Sequence, residues 1–144
     1  MMTQRLLPLA AAMLAAAGLT GHAAPARAGD VSNVRLACYV DTYAYDQLSN
    51  DACFSVWKPS TASNPTVAYF KVTGLPAGNY TYTWKNVATG ATGICAGTAD
   101  YCTRAIRIVG ASDGVVTLQV TVRDNATGAT KSANATATYI DGYH

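Results

Sequence analysis

GVVTLQVTVRD, residues Gly114–Asp124, alternates apolar and polar side chains for most of its length. Val116, Leu118, Val120 and Val122 fall on one face, and Thr117, Gln119, Thr121 and Arg123 on the other. Successive side chains of extended backbone point to opposite faces, so a period of two describes a half-buried strand. The β-branched residues suit that backbone. Just upstream, Asp113-Gly114 is a hairpin dipeptide. Downstream, Asn125-Ala126-Thr127-Gly128 turns the chain back into a strand over Ser132–Ile140, with Ala133, Ala135, Ala137 and Tyr139 on one face.

The same grammar extends backwards to residue 31. Val34, Leu36, Cys38 and Val40 share one face of a first strand. In a second, Phe54 and Val56 lie on one side and Cys53, Ser55 and Trp57 on the other. Lys58–Pro65 is a loop, and Val67–Val72 a third strand that is mostly apolar on both sides. After the Gly74–Gly78 turn, Tyr80, Tyr82 and Trp84 alternate with Thr81, Thr83 and Lys85, which places the three aromatics in the core. Thr89–Gly93 is a turn, and Ile106 and Ile108 flank Arg107 in a further strand. About seven short strands, with no helical pattern after residue 28, predict an all-β fold of two antiparallel sheets packed as a sandwich, with a barrel as the alternative.

Met1–Ala28 has the pattern of a secretory signal peptide. Arg5 supplies the positive charge, Leu6–Leu19 the apolar run, and Ala26-Arg27-Ala28 the small-x-small cleavage site. An apolar run of this length is too short to span a bilayer, which takes roughly 20 residues. The Ala/Leu-rich leader has a bacterial look, and the mature chain is expected to be secreted or periplasmic. Removing 28 of 144 residues leaves 116, enough for one domain over residues 29–144. Loss of Arg5 and Arg27 leaves eight basic residues against eight Asp, so the formal charge falls from +2 to zero. A neutral, evenly mixed chain argues against nucleic-acid and anionic-membrane partners, which need a basic patch.

Four cysteines in an exported chain imply two disulfides, for which three pairings exist. Sequence order favours Cys38–Cys53 and Cys95–Cys102, each closing a local loop. A zinc site would need histidine partners or paired short Cys spacings, and neither occurs.

Thr66–Ile140 resembles a bacterial immunoglobulin-like domain of the PKD (polycystin-repeat) type. Val67–Val72 with its Gly/Pro turn resembles the early strand of such domains, and Tyr80-Thr81-Tyr82-Thr83-Trp84 the aromatic strand that ends in a core Trp. Gly114–Asp124, its turn and Ala129–Tyr139 resemble the closing hairpin. The resemblance implies an immunoglobulin-like antiparallel β-sandwich, and a non-catalytic adhesion, spacer or binding module. Fold alone does not decide function.

The inventory of reactive side chains is thin. The chain has no Glu, and after cleavage its one histidine is the terminal His144. Nucleophilic triads need a histidine to carry protons, so no catalytic residues are assigned and no enzyme is expected. No cofactor or metal is expected either. Asp41, Asp46 and Asp51, spaced five apart, read as loop solvation, with a weak calcium site as the alternative. Asp113 and Asp124 read as turn residues. The sequons at Asn79, Asn125 and Asn134 read as accidents of a Thr/Asn-rich β sequence.

The binding candidates are the end loops. Tyr43, Tyr45 and Asp46 sit between the first two strands, and Thr98, Asp100 and Tyr101 sit inside the Cys95–Cys102 loop. Loop tyrosines offer large contact area at low entropic cost, and a disulfide-held loop is preorganised. These residues point to a secreted domain that recognises an extracellular protein or surface through loops protruding from a sandwich end. A carbohydrate-binding module is one alternative, marked by an exposed aromatic row such as Tyr69 with Trp57. A protease inhibitor acting through Cys95–Cys102 is another.

Overall fold

The computed structural model describes residues 29–42 and 47–143. The expected leader Met1–Ala28, the candidates Tyr43, Tyr45 and Asp46, and His144 lie outside the described residues. Eight strands follow one another: β1 (Arg35–Asp41), β2 (Ser49–Asn50), β3 (Ala52–Trp57), β4 (Thr66–Thr73), β5 (Tyr80–Asn86), β6 (Tyr101–Ile106), β7 (Gly114–Asp124) and β8 (Thr130–Asp141). They form two four-stranded sheets, ordered β2-β1-β4-β6 and β3-β8-β7-β5, and the described residues contain no helix.

The alternation seen in the sequence becomes the core. Leu36, Cys38 and Phe70 from the first sheet meet Trp84, Leu118, Val120, Val122, Ala135, Ala137 and Tyr139 from the second, all fully buried. Burial of each larger apolar side chain is worth about 1.5–3 kcal/mol. The polar ends of the two largest are satisfied: the Trp84 indole N–H donates to the Ala99 carbonyl at 3.3 Å, and the Tyr139 hydroxyl to the Ser63 carbonyl at 2.6 Å. Tyr80 and Tyr82 are only half-buried and pack at the rim of the core.

Both disulfides pair as sequence order favours, Cys38 with Cys53 and Cys95 with Cys102, each with a Cα–Cα distance of 5.7 Å. Cys38–Cys53 is more than a loop closure. It bonds the interior strand β1 of one sheet to the edge strand β3 of the other, so it staples the sandwich across its core. Two disulfides indicate an oxidising environment, extracellular or periplasmic. Among the described residues no helix is long and apolar enough to cross a membrane.

The structure departs from the sequence reading in four places. First, β3 pairs with β8 in parallel, from Ala52 opposite Thr136 to Trp57 opposite Asp141, so the second sheet is mixed rather than antiparallel. Second, β2 is an eighth strand, too short for any periodicity to show. Third, β6 covers Tyr101–Ile106 and not Ile106–Ile108. Its inward positions are Cys102, Arg104 and Ile106, and the charged Arg104 interrupts the apolar alternation that would have marked it. Fourth, Asp113-Gly114 makes no hairpin: β6 and β7 belong to different sheets, and the tight turn lies upstream, closed by the Val109–Ser112 bridge. Gly114 serves close approach instead, since a Cβ there would sit 2.6 Å from the Arg107 carbonyl oxygen. Asp113 accepts the Asp141 N–H at 2.8 Å.

One residue carries the chain from sheet to sheet. Asp51 lies between β2 and β3 with φ of 68°, a left-handed conformation that Asp tolerates better than most residues. Its N–H donates to Leu36 of the first sheet at 2.9 Å, and its carbonyl accepts from Thr136 of the second at 3.0 Å. Residues 49–57 are thus one extended segment that changes sheets at Asp51.

Candidate functional site

The outer face of the first sheet holds three tyrosines in a row. On β1, Leu36, Cys38 and Val40 point inward, so Tyr39 points outward; on β4, Ala68, Phe70 and Val72 point inward, so Tyr69 points outward; on β6, Cys102 is buried and Tyr101 is outward. Register does the rest. Tyr39 lies directly opposite Tyr69, and Tyr101 lies opposite Lys71, one diagonal step from Tyr69. The rings of Tyr39 and Tyr69 stack with centroids 4.9 Å apart at 23°, and those of Tyr69 and Tyr101 at 5.8 Å and 15°. At these separations near-parallel rings overlap as offset stacks, so the row shows edges and hydroxyls more than open faces. The last ring is the accessible one: Tyr101 is 49% exposed, while Tyr39 and Tyr69 are half-buried. Lys71 and Thr103, the register partners of Tyr101 and Tyr69, flank the row with a cation and a hydroxyl.

The Cys95–Cys102 loop helps to place Tyr101 at the end of that row. The chain leaves β5 and folds back along the edge of that strand. Asn86 donates to Ala91 at 2.8 Å, Gly93 to Trp84 at 2.9 Å and Tyr82 to Gly97 at 2.8 Å. Val72 of β4 then donates to the Asp100 carbonyl at 2.8 Å, extending the β4–β6 ladder by a residue. The loop is therefore laid against the sandwich and does not protrude from its end. Of the candidates within it, Thr98 is exposed, Asp100 is half-buried with its carbonyl committed to β4, and Tyr101 belongs to β6. The carbonyls of Gly97, Ala99 and Asp100 all accept internal bonds, which leaves little main chain for a protease cleft to engage.

The tyrosines of the other sheet do different work. Burial raises the Tyr82 phenol above its ordinary value, with Asp100 and Tyr80 adding to the effect, and burial and Asp124 raise Tyr80. Trp57 points to the inner side of β3 and leans on Tyr143 at 6.2 Å, so Trp57 and Tyr69 do not share a face. The tyrosine row runs instead through Tyr39 and Tyr101. Outward position on a strand was readable for Tyr39 but not for Tyr69, whose strand is apolar on both sides, and the adjacency of the three tyrosines needs the strand order β1-β4-β6.

Asp51 and Asp124 make structural contacts. Asp51 pairs with Arg35 at 3.3 Å, an exposed contact of small energetic value. The Asp124 carboxylate accepts from the Thr127 hydroxyl at 2.7 Å and the Ala126 N–H at 2.9 Å, which holds its pKa below the usual carboxylate range. Among the described residues no group of three His, Cys, Asp or Glu side chains converges on a common point. The side-chain amide of Asn125 bonds both Asn79 and Thr81, tying two of the sequons into the fold.

A broad open groove of about 820 Å³ runs between β1 and β3; it takes in Tyr39 of the row, with Val40, Gln47, Ala52, Phe54 and Ile140 among its other walls. It holds no clustered titratable groups among the described residues. No family model, curated protein or solved structure matches the chain.

Proposed function

We propose that the chain is an exported, non-catalytic recognition domain, released by cleavage of Met1–Ala28, that binds an extracellular protein surface through the outer face of its β2-β1-β4-β6 sheet. The observation that supports this reading is the stacked row Tyr39–Tyr69–Tyr101, which crosses three strands and ends in a half-exposed ring. Tyrosine gives a large, rigid, amphipathic contact at low entropic cost, and here stacking has already restricted the rings. The contact surface is a sheet face, where the sequence alone pointed to end loops. A glycan partner is the second reading, favoured by the open side of Tyr101 beside Lys71. Sugar rings stack on aromatic faces, however, and in this row most faces are covered by the next tyrosine, which favours protein.

The test is binding of the labelled exported protein to intact cells of the producing organism. Tyr101→Ala, and more strongly Tyr69→Ala with Tyr101→Ala, should weaken binding about thirtyfold or more, the size of an interface hot spot. Protease treatment of the cells should remove the sites while periodate leaves them. The opposite pattern would establish the glycan reading. Undiminished binding by a correctly folded double variant would overturn both.

A further inference from the structure

We infer that β3 is a self-pairing edge through which two copies of this chain join their second sheets into one continuous sheet. The argument starts from the backbone. At the ends of β3, the Asp51 carbonyl accepts from Thr136 N–H and the Trp57 carbonyl from Gly142 N–H. In a parallel ladder alternate residues face the neighbour. The odd-numbered residues of β3 therefore bond β8, and Ala52, Phe54 and Val56 turn both N–H and C=O away from it. Among the described residues no main chain pairs with that row.

The other three sheet edges are protected in ways that proteins use against unwanted pairing. β2 is two residues long. The edge of β5 is covered by the returning chain at Ala91, Gly93 and Gly97. β6 carries Arg104 between the buried Cys102 and Ile106, a charge on the inward side of an edge strand. Among the described residues β3 has none of these devices. It reads Ala-Cys-Phe-Ser-Val-Trp, without charge or proline, and its outward residues include Phe54 at 71% exposure and Val56 at 39%. Beside them on the same face lie Val115, 60% exposed, and the partly buried Ile140.

A second copy fits this edge better than an arbitrary strand because β3 is self-complementary. An antiparallel pair with its twofold axis at Phe54 sets Phe54 against Phe54, and Ala52 against Val56 at both ends. That register matches every free N–H to a free C=O, making about six main-chain bonds, and is closed by its own symmetry. It also brings Asp51, at the start of each β3, close to Lys58, just past the end of the other. A parallel pair would set like charges side by side. The tyrosine row is on the other sheet, and of its three residues Tyr39 shares a groove with Ala52 and Phe54.

The experiment is sedimentation equilibrium of the exported protein from micromolar to near-millimolar concentration, with substitutions at the axis. The wild type should sediment as a concentration-dependent dimer. Phe54→Lys, which removes the central aromatic pair and places two ammonium groups opposite each other, should raise the dissociation constant about thirtyfold or more, the size of an interface hot spot. Because facing residues of a hydrogen-bonded antiparallel pair have Cα atoms about 5.5 Å apart, Phe54→Cys should form an intermolecular disulfide on oxidation. Val56→Cys should not, since its counterpart would lie about 13 Å away along the strand. The inference is overturned by a wild type that stays monomeric, including one that takes up an unrelated extended peptide instead. It is equally overturned if Phe54→Lys leaves the dimer intact, or if Phe54→Cys cross-links no better than Val56→Cys.

Discussion

At the scale of single residues, two aspartates do backbone work that their charge does not reveal. Asp51 holds a left-handed φ of 68° while bonding one sheet through its N–H and the other through its carbonyl. Glycine adopts that conformation freely and a β-branched residue does not. Asp51→Gly should therefore change stability by less than about 0.5 kcal/mol, the Arg35 pair being exposed. Asp51→Val should cost about 1–3 kcal/mol in urea unfolding. Asp124 is the pH-sensitive one. Its folded pKa is lowered, foremost by the Thr127 hydroxyl and then by the Ala126 N–H. A lowered folded pKa contributes stability that is present above the unfolded value and lost as pH falls through the folded value. The melting temperature should fall as pH drops below the ordinary carboxylate range, and Asp124→Asn should flatten that acid limb. The raised phenols of Tyr80 and Tyr82 work in the opposite direction. Their contribution is full below about pH 10 and is lost as pH rises further.

At the scale of elements, the segment between β5 and β6 is the instructive one. Its disulfide joins Cys95 to Cys102 across a separation of 7 residues, and the chain-entropy account of such a closure gives about 2.5 kcal/mol. Cys95→Ser with Cys102→Ser should cost about that much. The loss should also be local: the amide of Tyr82, held by the Gly97 carbonyl, should exchange faster with solvent relative to the centre of β7. An unchanged exchange rate at Tyr82 would mean that the main-chain bonds hold the segment without the disulfide. The element also shows where periodicity stops being informative. β7 is legible because Val116, Leu118, Val120 and Val122 occupy four successive inward positions. β6 is not, because Arg104 occupies one inward position and Tyr101 is apolar and outward.

At the scale of the whole molecule, the two disulfides have unequal roles. Cys38–Cys53, separated by 15 residues, is worth about 3 kcal/mol on the same account, and it crosses the core between the sheets. Together the two contribute about 5–6 kcal/mol, comparable with the entire stability of many domains of this size. Full reduction should lower the melting temperature by about 20 °C or more, a shift read by circular dichroism with and without reductant. Retention of the oxidised melting temperature after complete reduction would show that the packed sheets suffice.

The sequence by itself determined the all-β class and most strand positions, pointed to a leader pattern at its start and, from cysteine order, favoured one disulfide pairing of three. Each of these rests on local information: a period of two, a short apolar run, a loop small enough to close. Tertiary structure alone decided which strands are neighbours. It set β3 parallel to β8, carried the chain between sheets at Asp51, and turned Cys38–Cys53 into a staple across the core. Tyr39, Tyr69 and Tyr101 are each about thirty residues from the next, yet their rings stack because β1, β4 and β6 lie side by side. Strand order arises from long-range pairing and burial across the whole chain, and no window of sequence contains it.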